Sequence, residues 1–154
     1  MQMGNKVSIA IVGLNIGKRI IEELAWPENT ESFMLAAVCD MDREKAETEA
    51  AKLGVKAYFD LDALLADDDI QAIGLFTGPV NRSALIRKII QAGKDVMTTK
   101  PFEQNPAAAR AVLEEAELLN RVVHLNSPSP LPSEDLQIVA DWREKHAARR
   151  LAAA

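Results

Sequence analysis

This sequence has little of what many functional sites are built from. Its 154 residues include a single cysteine, Cys39, which excludes an internal disulfide and any cysteine-cluster metal site. Two histidines, His124 and His146, are too few for a histidine-rich centre. The acidic run Asp67-Asp68-Asp69 does not replace them, because adjacent residues do not converge on one ion, so no metal site is expected. Positive charge is also short, and the net charge of -5 argues against a nucleic-acid surface. No apolar run approaches the roughly 20 residues that a membrane-spanning helix needs. Residues 1–6 carry no apolar core of a secretory signal. The expectation is a cytoplasmic protein that binds neither membrane nor nucleic acid. There are no internal repeats.

What remains is an ordinary balance for a globular chain, with 48% hydrophobic and 27% charged residues. The length suits one domain with a substantial core and is too short for two full ones. Apolar runs alternate with helical rhythms. Val7 to Val12 reads as a buried parallel strand. Gly13 to Gly17 reads as a tight turn into a helix with Ile20, Ile21 and Leu24 on one face, closed by Pro27 and Asn29. Met34 to Cys39 is a second strand, followed by a helix from Arg43 to Leu53 that Gly54 terminates. Val55 to Phe59 is a short third strand, and Asp60 or Asp62 caps a helix through Leu65. Ile70 to Phe76 is the fourth strand, with Thr77-Gly78-Pro79 as its exit. A helix from Arg82 to Ala92 turns Leu85, Ile86, Ile89 and Ile90 inward and stops at Gly93. Val96 to Thr99 is the fifth strand. Asn105 and Pro106 open a long helix to Leu119, and Val122 to Leu125 is the sixth strand. Cys39, Trp26 and Trp142 read as packing residues, and His124 as structural. This order predicts an α/β fold, a doubly wound parallel sheet of the Rossmann dinucleotide-binding type.

Three places carry candidate chemistry. The stretch Gly13-Leu14-Asn15-Ile16-Gly17 follows the first strand and opens a helix, whose N-terminal N–H groups suit a pyrophosphate. Gly13, Asn15, Ile16 and Gly17 are the candidate contacts. The spacing is one residue shorter than G-x-G-x-x-G, with Asn15 near the middle glycine's place, where its tolerance of positive φ lets the loop close. The same glycines also suit an ordinary strand-to-helix turn. Asp40 ends the second strand 23 residues beyond Gly17, close to the roughly 20 expected for an acid that binds a ribose diol. A capping or surface aspartate is the other reading. A carboxylate there repels a 2′-phosphate and favours NAD over NADP, although Arg43 sits near enough to keep NADP open. Lys100-Pro101 ends the fifth strand, where open α/β sheets bind their ligands, and the proline fixes the chain direction. A surface lysine at a strand end is the bland alternative.

With these residues in view, the chain resembles the N-terminal domain of the Gfo/Idh/MocA oxidoreductases, the glucose-fructose oxidoreductase and inositol dehydrogenase family. The resemblance rests on Val7–Gly17, Ala37-Val-Cys-Asp40, Tyr58-Phe-Asp-Leu-Asp-Ala-Leu-Leu65, Thr77-Gly-Pro79, Ala92-Gly-Lys-Asp-Val96 and Lys100-Pro101, and it covers about residues 6 to 145. It implies that Lys100 contacts the nicotinamide ribose and assists proton transfer at the substrate carbon–oxygen bond. It implies that the Lys100–Pro101 bond is cis. It further implies that Thr77 and Gly78 line the adenosine and ribose side of the cleft, with Asn81 and Arg82 as further cofactor contacts. Two positions depart from the family: Thr99 stands where the glutamate of Glu-Lys-Pro is usual, and Arg82 stands where a histidine is usual. Phe102 and Glu103 match the family's turn and need no catalytic role.

The resemblance also implies a second α/β domain for the substrate. Residues 1–126 are expected to form the dinucleotide-binding domain. Residues 127–154 are expected to be a proline-rich crossover and one helix, with Leu136, Val139 and Trp142 on one face, leading to a substrate domain that is absent. The chain is then expected to be either a truncated piece or a stand-alone cofactor domain, with little turnover alone and a tendency to form a homodimer. The expected function is the NAD(P)-binding domain of an oxidoreductase that moves hydride to or from a sugar, polyol or related hydroxyl substrate. A non-catalytic nucleotide-binding or oligomerisation module is the alternative. A methyltransferase is a third reading, which the Lys100-Pro101 exit argues against.

Overall fold

The computed structural model describes residues 6–126. The apolar run Val7–Val12 forms β1, whose residues from Ser8 onward are all buried. Phe33–Cys39 forms β2, Lys56–Tyr58 β3, Ala72–Leu75 β4, Asp95–Thr99 β5 and Val123–Asn126 β6. The six strands form one sheet in the order β3-β2-β1-β4-β5-β6, and all five pairings are parallel. This is the doubly wound order, in which the connections reverse direction between β1 and β4. One irregularity interrupts the β1–β2 ladder: Ile9 pairs with Leu35 and Ala10 with Ala37, so Ala36 is passed over.

Parallel strands require crossovers, and helices supply them: α1 (Leu14–Leu24), α2 (Pro27–Thr30), α3 (Arg43–Leu53), α4 (Leu61–Leu65), α5 (Arg82–Gln91) and α6 (Pro106–Leu118). The sheet divides the core into two apolar layers. One gathers Ile73, Leu75, Val96 and Leu64 with Ile86, Ile89, Ile90 and Val112 of α5 and α6. The other gathers Ile9, Ile11 and Val38 with Leu14, Ile20 and Ile21 of α1 and Ala46 and Ala50 of α3. Lys94 enters this interior at 5% exposure, and its ammonium donates to the carbonyls of Asp67 at 2.7 Å and Ile70 at 2.6 Å. The buried charge thereby fixes the approach to β4.

Several expected boundaries shift. Helix α1 begins directly at Leu14, so Gly17 lies inside a helix and is not part of a turn. Pro27 opens the separate short helix α2 instead of closing α1, as a proline at N1 should. Strand β4 is shorter than expected: Ile70 and Phe76 are buried but lie outside the ladder. Asp60, not Asp62, caps α4, accepting from the Ala63 N–H at 2.8 Å. Trp26 is 52% exposed at the N-cap position of α2, without a side-chain capping bond, so it is no core residue. His124 is exposed on the edge strand β6. Cys39 is buried as expected. The crossover and terminal helix expected over 127–154 lie outside the described residues.

Candidate functional site

The chain reverses its winding between β1 and β4, and the expected site residues collect at the carboxyl ends of the strands around that point. Gly13 leaves β1, Asp40 leaves β2, Thr77 and Gly78 follow β4, and Lys100 follows β5. Open α/β sheets bind ligands in such a crevice.

Gly13 holds the first turn. Its φ is +87°, and a Cβ there would stand 2.8 Å from the carbonyl oxygen of Phe76, so only glycine fits. Gly17 works differently. A Cβ on it would stand 2.6 Å from Cγ2 of Ile11, so its bare backbone lets α1 press against β1. Asn15 does not rescue the loop through positive φ, as its position in the sequence suggested, because it is already helical. Among the described residues, the Asn15 and Ile16 N–H groups have no protein acceptor, whereas Leu14 N–H donates to Asp40 and Gly17 N–H to Gly13. Two free donors at a helix N-terminus beside a glycine that admits close approach fit a dinucleotide pyrophosphate.

The Asp40 carboxylate bends back over this helix end. Oδ2 accepts from the Leu14 N–H at 2.9 Å and Oδ1 from the Asp42 N–H at 3.0 Å. The Lys45 ammonium stands 3.9 Å from Oδ2 and donates to Asn15 Oδ1 at 2.9 Å. Burial pushes the Asp40 carboxyl up, but these two amides and Lys45 together hold it below its ordinary value. An ionised carboxylate has about four acceptor positions, so room for a ribose diol remains. The cation facing Asp40 is therefore Lys45. Arg43 is engaged elsewhere, 3.9 Å from the centroid of the Phe59 ring and 3.5 Å from Glu47. Lys45 escaped the sequence reading. Its one signal was its place in the first turn of the helix that follows Asp40.

At the β4 exit, Thr77 Oγ1 is buried without a partner, and a Cβ on Gly78 would meet nothing within 4 Å, leaving open space there. Asn81 adopts the left-handed conformation with φ 56° at the start of α5, and its side chain does not cap the helix. Instead Glu103 caps it from 20 residues away, accepting from Ser83 N–H at 2.9 Å and Ser83 Oγ at 2.7 Å. These bonds, with the Gln104 and Asn105 amides, hold its carboxyl down at about 2. Arg82 departs most from expectation. Its guanidinium is interior and donates to the carbonyls of Thr77, Thr99 and Pro101, so it is drawn away from a direct cofactor contact. Lys100 is exposed, and the Lys100–Pro101 bond is cis, as the resemblance implied.

Comparisons with known proteins agree with this geometry. The model of the oxidoreductase family with an NAD-binding Rossmann fold, Gfo/Idh/MocA, matches residues 7–127. A dehydrogenase of Fusarium mangiferae is 34% identical over 118 residues, which are 70% of this chain and 34% of the relative. The inositol 2-dehydrogenase of Rubrobacter xylanophilus is 25% identical, over 78% of this chain and 35% of its own length. The chain thus spans about a third of the length of these curated relatives. Among solved structures, GenD2 from gentamicin A biosynthesis, in complex with NAD, superposes with a TM-score of 0.72 at 22% identity, covering 82% of this chain and 36% of that one. The 3-ketoreductase KijD10 of Actinomadura kijaniata, in complex with NADP, gives 0.71 at 21% identity, covering 79% and 39%. At such identities the superpositions establish the fold, and the family assignment rests on the sequence match. The chain belongs to the Gfo/Idh/MocA oxidoreductase family, whose NAD-binding Rossmann fold its residues 7–127 match.

Proposed function

We propose that this chain holds the cofactor for an oxidoreductase acting on a sugar, polyol or related hydroxyl-bearing substrate. The observation that carries the proposal is the convergence of three features at the carboxyl ends of the strands. These are the free N–H groups of Asn15 and Ile16, the ionised Asp40, and Lys100 at the exit of β5. When bound, NAD(P) supplies the hydride donor or acceptor. In this reading the α1 N-terminus and Gly13 hold the pyrophosphate, and Asp40 accepts from the adenosine ribose. Thr77, Gly78 and Asn81 line the strand exits beside it. The Lys100 ammonium stabilises negative charge on the substrate oxygen and stands ready to pass a proton. The substrate class is supported by the relatives, among them the inositol 2-dehydrogenase and a UDP-N-acetylglucosamine 3-dehydrogenase of Acidithiobacillus ferrooxidans.

One observation favours the second reading, a nucleotide-binding module without turnover. Asn15 takes the middle glycine's place and is tied to Lys45, which narrows the space over the helix end. Calorimetric titration with NADH and then NADPH separates the readings from an empty scaffold. Saturable NADH binding is expected, weaker for NADPH because Asp40 repels a 2′-phosphate. Failure to bind either dinucleotide overturns the proposal.

A further inference from the structure

Arg82 is 1% exposed, the largest of the fully buried side chains, and no carboxylate among the described residues lies within ion-pair distance of it. Such a charge is expensive to bury. Its contacts show what it holds. One terminal nitrogen, Nη1, donates both to the carbonyl of Thr99 at 2.5 Å and to the carbonyl of Pro101. Those two residues flank Lys100. The other terminal nitrogen donates to the carbonyl of Thr77 at the β4 exit. We propose that Arg82 is a positioning residue: it brackets the backbone of Lys100 from both sides and locks that turn to the cofactor-lining exit of β4.

Four features support this. The carbonyls lie on two different strand exits, and the planar guanidinium has the span and fixed fork to reach them together, whereas a lysine ammonium is a single point with no second arm. The charge is balanced by carbonyl dipoles and, at longer range, by Glu103, which opposes the effect of burial on the arginine. Glu103 is itself fixed by Ser83, the residue next to Arg82, so the first turn of α5 grips the Lys100 turn from both ends. Nε of Arg82 is left without a partner, which a purely space-filling role would not require. An apolar side chain would fill the same volume without stranding a polar atom.

The part of this inference that concerns Lys100 rests on the cofactor reading above. The test is a double-substitution cycle on the whole chain: R82K and K100A, singly and together, read by NADH calorimetry. R82M serves as a second variant, because an apolar replacement of a buried charge often preserves folding. Each single change is expected to weaken NADH binding about 10-fold, and the pair no more than about 10-fold, because Lys100 is already misplaced without the fork. Losses that multiply, or an Arg82 variant that binds NADH as the parent does, overturn the inference. A parent chain that binds no NADH sinks the cofactor reading instead. The clamp is then judged by amide hydrogen exchange. Faster exchange at Lys100 and Phe102 in the Arg82 variants, with α3 unchanged, supports it, and unchanged exchange at that turn defeats it.

Discussion

Asp40 shows how one side chain serves the fold and the proposed site together. Its carboxylate accepts from the first amide of α1 and from Asp42, so it fixes the helix end that faces the crevice. Replacing it by alanine should therefore weaken NADH binding by about 1–3 kcal/mol, the range for losing a charged hydrogen-bond partner. Calorimetry of Asp40→Ala beside the parent measures this, and unchanged affinity removes Asp40 from the site. Its neighbour Cys39 has no comparable use. Burial, and then the nearby Asp60 and Asp40 carboxylates, push its thiol up to about 12, so at neutral pH it is an inert core residue. Asp40 was legible in the sequence because an acid at the end of a second strand answers a glycine turn at a known separation. Lys45 and the inward course of Arg82 were not. A long cation's partner is decided by what the fold brings to its tip, and the partners of Arg82 are backbone carbonyls that the sequence cannot mark.

Among the elements, α5 has no side-chain cap of its own at its start. Asn81 sits at its N-cap without a side-chain bond, and the helix borrows its cap from Glu103. The acid is held at about 2 in the folded chain, below the ordinary carboxylate range. A depressed carboxyl stabilises the fold above its unfolded pKa, and that contribution drains away as pH falls toward the folded value. Asp67 adds to the same slope. It is also held at about 2, first by Lys56, then by Tyr58, which donates to it at 2.6 Å. Stability should therefore fall between about pH 5 and pH 2, and Glu103→Gln should flatten part of that fall. Urea midpoints across this range check it, and equal slopes in parent and variant would refute the cap. The strands and most helices were readable from apolar runs and end signals such as Gly54, whose φ is 67°. The start of α1 was misread because Gly17 was taken as a turn residue, whereas its need arises from contact with Ile11 across the layer. The Glu103 cap was invisible for a related reason: a cap from 20 residues away leaves no local pattern.

At the scale of the molecule, the sheet order and its crevice follow from alternating elements, because right-handed crossovers leave few ways to wind them. Among the described residues, the winding leaves over two edges. The β3 edge is short and guarded by charge, with Lys56 bonded to Asp67 and Asp69. The β6 edge is less defended. Leu125 is exposed on it, Val122 is exposed just before it, and Leu118 and Leu119 are exposed at the preceding helix end. A parallel edge strand that presents apolar side chains and unpaired backbone groups is a template for association. We propose that two copies of the chain meet there. Light scattering should then give about twice the 16.9 kDa chain mass at high concentration. Leu125→Lys, which places a charge on the edge, should return the mass to that of one chain without changing NADH affinity, because Leu125 is an exposed residue of the edge strand and none of the residues placed against the cofactor. A parent that stays monomeric at high concentration defeats the dimer. A dimer that survives Leu125→Lys moves the contact to another face.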